Sequence, residues 1–271
     1  MKSLVLIIGS LFLIINLTLT GCGGSSGSTP SSSSSSDSTS SQSSESSSSE
    51  SSSSDSSSSH SGDVVSFTDP KFEDIVRKAI GKDWGVPIYE SDVEQITELS
   101  ISHKFLELGG LEKLINLKTL SINQVQTGSL ESLSQLLNLE TLNLNFVAIS
   151  QALSNPNEDL NLTFLSELTN LQALNISGNF ISDITPLAAL HKLQMLNAEF
   201  NWQIVDISVL ANLKNLHTID LSNNSIVDVS ALSGLNALTK LDVSSNAICD
   251  LEVLPPIPDL DTSDQDTSAC P

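Results

Sequence analysis

Arginine is almost missing from this chain: Arg77 is the single example, and 11 basic residues face 32 acidic ones for a formal charge of −21. A nucleic-acid binder needs a basic face to neutralise phosphates, so that partner class is excluded. Aromatic residues make up only 4% of the sequence. The apolar residues are instead mostly Leu and Ile at regular spacing, as stacked coils require and as a nucleotide-binding or barrel enzyme does not. Cysteine is scarce too, with Cys22 early and Cys249 and Cys270 late. No Cys-x-x-Cys occurs, and His60, His103, His191 and His217 are scattered, so neither metal nor cofactor has sequence support. Gly23-Gly-Ser-Ser-Gly27 spells a hydrolase elbow, but no strand precedes it and no helix follows. With no nucleophile, acid pair or metal set at motif spacing, the chain does not read as an enzyme.

What is present is a period. Leu171-Gln-Ala-Leu174-Asn-Ile176-Ser-Gly-Asn179-Phe-Ile181 begins again at Leu193, Leu216 and Leu238, at intervals of 22, 23 and 22 residues. Counting back adds starts at Ile96, Leu117 and Leu139, which makes seven units. Each unit is one coil that cannot bury its apolar face alone, so the coils must stack. Alternation along each strand points the fourth and sixth residues inward and the third, fifth and seventh outward. After the strand comes Ile-x-Asp, with Asp183, Asp206, Asp228 and Asp250 in register as caps for short convex turns. Asn179, Asn201, Asn224 and Asn246 sit where a side-chain amide must bond turn backbone.

These units resemble leucine-rich repeats of the 22-residue class, shared by internalins and a eukaryotic phosphatase-regulatory subunit. The resemblance covers roughly 96–254 and implies an α/β solenoid: a curved parallel sheet on the concave side, short helical or 3₁₀ segments on the convex side. Three units depart from it, with Lys104, Val125 and Val147 in place of Asn. The interval from Leu139 to Leu171 is 32 residues, and the excess falls around 151–161. The immunoglobulin-like region and wall-anchoring signals of internalins have no counterpart here, so host-cell invasion is not implied.

The flanks have their own logic. Residues 1–21 carry Lys2 and an apolar run too short to span a bilayer, ending in Leu19-Thr-Gly-Cys22, which resembles a bacterial lipobox. That resemblance implies a signal peptide and a lipidated Cys22 holding the protein in the cell envelope, at the outer membrane or cell surface in a diderm host. Residues 22–62 are nearly all Ser after the anchor, a disordered tether with an r.m.s. span of about 35 Å. Residues 63–95 read as a helical N-terminal cap similar to that of internalin-like proteins. Asp69-Pro70 is its N-cap signal, Gly81 its stop, and Ser91-Asp-Val-Glu94 a capping box for a second short helix. In the tail, 255–271, Pro255-Pro-Ile-Pro258 is expected to stop regular structure. The spacing of Asp259, Asp261, Asp264 and Asp266 lacks the turn glycine of a calcium loop. Export and the late position of Cys249 and Cys270 argue for a disulfide closing a loop of about 20 residues; two free thiols or an intermolecular link is the alternative.

Binding is expected on the concave face of a monomer. Its outward columns are small and polar but turn acidic at Glu199, Asp220 and Asp242. Met195 lies among them, and Phe146, Phe180, Phe200 and Trp202 stand just past the strand ends. Two readings of the aromatics stay open: anchors of a binding surface, or rings folded over the strand ends as core padding. The function expected is a membrane-anchored protein-interaction or adhesion module; a carbohydrate- or wall-binding module is the alternative.

Overall fold

The computed structural model describes residues 62–102, 106–147 and 160–270. The export signal, Cys22, the serine-rich stretch, Lys104 and nearly all of the 151–161 excess lie outside them. Among the described residues two helices come first, α1 (Pro70–Ile80) and α2 (Glu90–Val93). Eight strands follow: β1 (Glu98–Ile101), β2 (Thr119–Ile122), β3 (Thr141–Asn143), β4 (Ala173–Asn175), β5 (Met195–Asn197), β6 (Thr218–Asp220), β7 (Lys240–Asp242) and β8 (Asp259–Asp261). They form one sheet in sequence order, and every neighbouring pair is parallel. Each coil returns through a short segment on the other side, for example the 3₁₀ turns Thr185–Ala189 and Ser208–Asn212.

The leucine spacing produces this directly. Inward residues of the fourth position, Leu99 through Leu241, and of the sixth, Ile101 through Val243, are buried, as are the leucines of the return segments. Each such side chain contributes roughly 1.5–3 kcal/mol on burial. The coils are then tied by amides. Asn201 Nδ2 donates to Ala198 O of its own coil at 2.9 Å and to Ile176 O of the preceding coil at 3.2 Å; Asn179, Asn224 and Asn246 bridge in the same way. On the return side the carboxylates of Asp183, Asp206, Asp228 and Asp250 accept from the N–H two residues on. Hydrogen bonds from the main chain and side chain of the following Ser or Thr hold Asp206, Asp228 and Asp183 below the usual carboxylate range.

Two expectations need correction. The chain does not leave regular structure at the prolines: Ile257 starts an eighth coil, 19 residues after Leu238, and β8 pairs with β7. In that coil Gln265 stands where the others carry Asn, donating to Val243 O at 2.8 Å and accepting from Ile248 N at 3.0 Å. The longer side chain reaches the same backbone groups. The second correction concerns α2. Its box is made by Asp92, whose carboxylate accepts from Tyr89 N at 2.7 Å, so the helix begins before Ser91.

The two ends are closed differently. At the first, Asp69 accepts from Lys71 N at 2.7 Å and Gly81 ends α1 in the left-handed region, as the sequence predicts. Phe72 and Val76 of that helix are fully buried. Arg77 is buried too, its guanidinium donating to Asp83 O and Val86 O and pairing with Glu73. At the other end Cys249 and Cys270 are joined, with Cα atoms 5.5 Å apart, and the bridge fastens the eighth coil to the seventh.

Candidate functional site

The residues after each strand turn sharply, and the eighth position of the coil carries the turn in the left-handed region. Gln124, Phe146, Gly178, Phe200, Asn223 and Ser245 occupy it in coils 2 to 7, all with φ between 54° and 69°. Glycine and Asn take that conformation readily; a bulky ring does not, at a cost on the order of 1 kcal/mol or more. Phe180 and Trp202, at the tenth position of coils 4 and 5, are also left-handed, with φ of 57° and 55°. All four predicted aromatics thus sit on backbone that does not favour them.

Their rings separate into two groups. Phe146 packs against the next coil: a Cβ at Gly178 would meet its ring atoms at 2.5 Å. The rings of Phe180 and Trp202 are 5.4 Å apart, and those of Phe200 and Trp202 are 6.0 Å apart, edge to face. Phe146 and Phe180 are both half-buried, whereas Phe200 and Trp202 are 37% and 36% exposed. Met195, 51% exposed, is in β5 at the far end of the same strand and does not join the rings.

Coil 5 is the 23-residue unit, and its extra residue falls between Asn201 and Ile204, beside Trp202. In coil 5 the amide ladder is interrupted there. Asn201 Oδ1 accepts from both Asn179 N and Ile181 N of the preceding coil. Asn224 Oδ1, one coil further, is buried with no hydrogen-bond partner among the described residues. The backbone of coil 5 has instead turned outward, with Trp202 N donating to Asn223 O and Gln203 N to Asn201 O. Leaving a buried acceptor unpaired costs roughly 1–3 kcal/mol, so the insertion of coil 5 is kept at some cost in stability.

The acidic residues prove to have a local task as well. In the fifth column Asn143, Asn175 and Asn197 each accept at Oδ1 from the N–H two residues on. Asp220 and Asp242 do the same with Ser222 and Ser244, whose hydroxyls add a second bond. Glu199 is partly buried, and its Oε1 accepts from Asn197 Nδ2 at 3.3 Å. In the seventh column Ser177 and Ser222 are buried rather than outward. Theirs are the carbonyls that accept from Phe146 N and Phe200 N.

Sequence reasoning overlooked one member of the acidic row. β8 places Asp261 in register with Asp242 and Asp220, and it accepts from Ser263 N at 2.9 Å. That bond holds its carboxyl below the usual range. The signal was legible: Thr218-Ile-Asp-Leu-Ser222, Lys240-Leu-Asp-Val-Ser244 and Asp259-Leu-Asp-Thr-Ser263 share one pattern. The other tail carboxylates are dispersed, Asp259 pairing with Lys240 at 3.4 Å and Asp266 bonding Ser268 N. Among the described residues no group of His, Cys, Asp or Glu is arranged to hold a metal ion.

Comparison with known proteins agrees with this architecture. Residues 169–212, 191–233 and 214–256 match the family of Leucine Rich repeats (2 copies), beginning where the asparagine ladder begins. An internalin from Listeria monocytogenes, inlF, superposes with a TM-score of 0.61 at 28% identity, over 69% of this chain and 53% of that one. A second internalin of that organism, inlC2, gives 0.61 at 30% identity, over 69% of this chain and 79% of that one. The chain thus spans about half of the first and most of the second. No curated protein sequence matches, and none of the similarities found here is to a catalytic family.

Proposed function

The chain belongs to the internalin-like leucine-rich repeat proteins, and we propose from that premise that it is an envelope-bound module that binds a protein on the open face of its sheet. Cys22 carries the lipid, residues 23–62 tether the repeats, and Phe180, Phe200 and Trp202 anchor the partner beside Glu199, Asp220 and Asp242. Phe146 and Met195 flank that surface. The observation that carries the proposal is Trp202. It stands beside the one-residue insertion of coil 5, on left-handed backbone and about one-third exposed, next to a coil whose Asn224 Oδ1 has no hydrogen-bond partner among the described residues. A core-padding ring would be fully covered in return for that cost; Trp202 keeps 36% of its surface exposed. Large aromatics on flat polar ground are the usual anchors of protein interfaces. Among the described residues no helix is long and apolar enough to cross a membrane.

Crosslinking on intact cells tests both halves. Wild-type protein should partition into the detergent phase and capture a protein partner, Cys22→Ser should move to the soluble fraction or stay unprocessed, and Trp202→Ala should lose the partner. Unchanged partitioning of Cys22→Ser would sink the anchor. Capture of glycan alone, read on a glycan array, would assign the face to carbohydrate instead.

A further inference from the structure

The open face is not uniform in charge. Its outward columns in coils 5 to 8 carry five carboxylates, Glu199, Asp220, Asp242, Asp259 and Asp261, against one cation, Lys240. Lys240 is paired with Asp259. What remains besides Glu199 is a row of three aspartates on adjacent strands about 4.8 Å apart, each fixed by a bond to Oδ1 and with no ion-pair partner among the described residues. The bonds to Ser222, Ser244 and Ser263 set the carboxylates' orientation, and an Asn would serve that turn equally, as it does in coils 3 to 5. Charge at these positions is therefore not required by the fold. Beside the start of the row stand the rings of Phe200 and Trp202, reached through Asn223, whose carbonyl accepts from Trp202 N.

We propose that this surface receives a lysine- or arginine-bearing segment of the protein partner, with cations on the ring faces and along the aspartate row. The inference rests on the protein-binding reading above. Ring faces attract cations through their quadrupole, and three uncompensated carboxylates supply the complementary charge. An apolar segment seated here would bury the carboxylates unpaired, which is strongly unfavourable. An acidic segment would meet like charge along the whole row.

The test uses the full-length protein and a fluorescent oligo-arginine peptide, read by anisotropy. Four proteins are compared: wild type, Trp202→Ala, the triple variant Asp220→Asn/Asp242→Asn/Asp261→Asn, and Glu131→Gln/Glu167→Gln/Glu252→Gln. The last removes equal charge from exposed positions on the return side. Because Asn keeps the turn bond, the triple variant is expected to melt as wild type does. The proposal predicts that the triple variant and Trp202→Ala each weaken binding about tenfold or more, that salt weakens the wild type, and that the return-side variant changes by less than about twofold. Equal loss in the return-side variant, or no loss in the triple variant, overturns it. If the captured envelope partner is lost with Trp202→Ala yet is indifferent to salt and to the triple variant, the basic-segment proposal falls while protein binding stands. A glycan as the only ligand overturns both.

Discussion

Coils 3 and 5 carry the same unusual feature, a phenylalanine on left-handed backbone at the eighth position, and use it in opposite ways. Phe146 of coil 3 has a glycine under it and packs down on Gly178; its neighbour Val147 is a fully buried plug in place of the ladder asparagine. Phe200 of coil 5 has Asn223 beside it, keeps Asn201 in the ladder and is held up against Trp202. The difference teaches that aromatic residue and backbone conformation together do not decide between padding and presentation. The neighbouring coil decides, by offering or withholding a seat.

The largest expected effect is at that seat. Gly178→Ala adds a Cβ on backbone with φ 69° and drives it into the Phe146 ring, so a loss of about 2–3 kcal/mol is expected in chemical denaturation. The double variant Gly178→Ala/Phe146→Ala should lose less than the sum, because the collision is relieved and only the backbone strain and the lost ring packing remain. Phe146→Ala alone should cost about 1–2 kcal/mol for the apolar area uncovered. Deleting Trp202 should work the other way. It restores a 22-residue unit, lets Asn224 Oδ1 accept from coil 5 and gains about 1 kcal/mol while abolishing binding. A deletion that destabilises would show that the insertion supports the coil.

The smallest effect separates the two coils by pH. The return segment of coil 3 is capped by Asn161, which accepts from Thr163 N and does not titrate, whereas that of coil 5 is capped by Asp206. The bonds from the backbone and hydroxyl of Ser208 lower the carboxyl pKa of Asp206 in the folded state. Its contribution is therefore present above the unfolded value and is lost as pH falls through the lowered folded one. In an NMR acid titration the Ser208 amide should shift in that window and the Thr163 amide should not. Parallel movement of both would remove the distinction.

Most of the fold was legible because the leucine period states the coil directly: start residues, inward columns, Asp caps and the Asn ladder all follow from it. The eighth coil was not, because Pro255-Pro-Ile-Pro258 reads as a stop, the interval shortens to 19 and Gln265 replaces Asn. For α2, two acidic residues competed for one box, and Asp92 reached the N-cap amide. The four aromatics were visible as anomalies of composition at fixed positions. Their separation into a single seated ring and a partly exposed cluster was not, since it depends on what the adjacent coil places beneath them. Nor did exposure alone reveal that Asp220 and Asp242 hold a turn; that emerges once Asn143, Asn175 and Asn197 are seen making the same bond.

The central claim is that Trp202 is presented and Phe146 is seated. It is tested most directly by measuring the affinity of the crosslinked partner for the folded fractions of Trp202→Ala and Phe146→Ala, alongside their melting temperatures. The account predicts that Trp202→Ala loses roughly 2 kcal/mol or more of binding with its melting temperature little changed, while Phe146→Ala melts lower and binds as wild type does. A lowered melting temperature with intact binding for Trp202→Ala would contradict it.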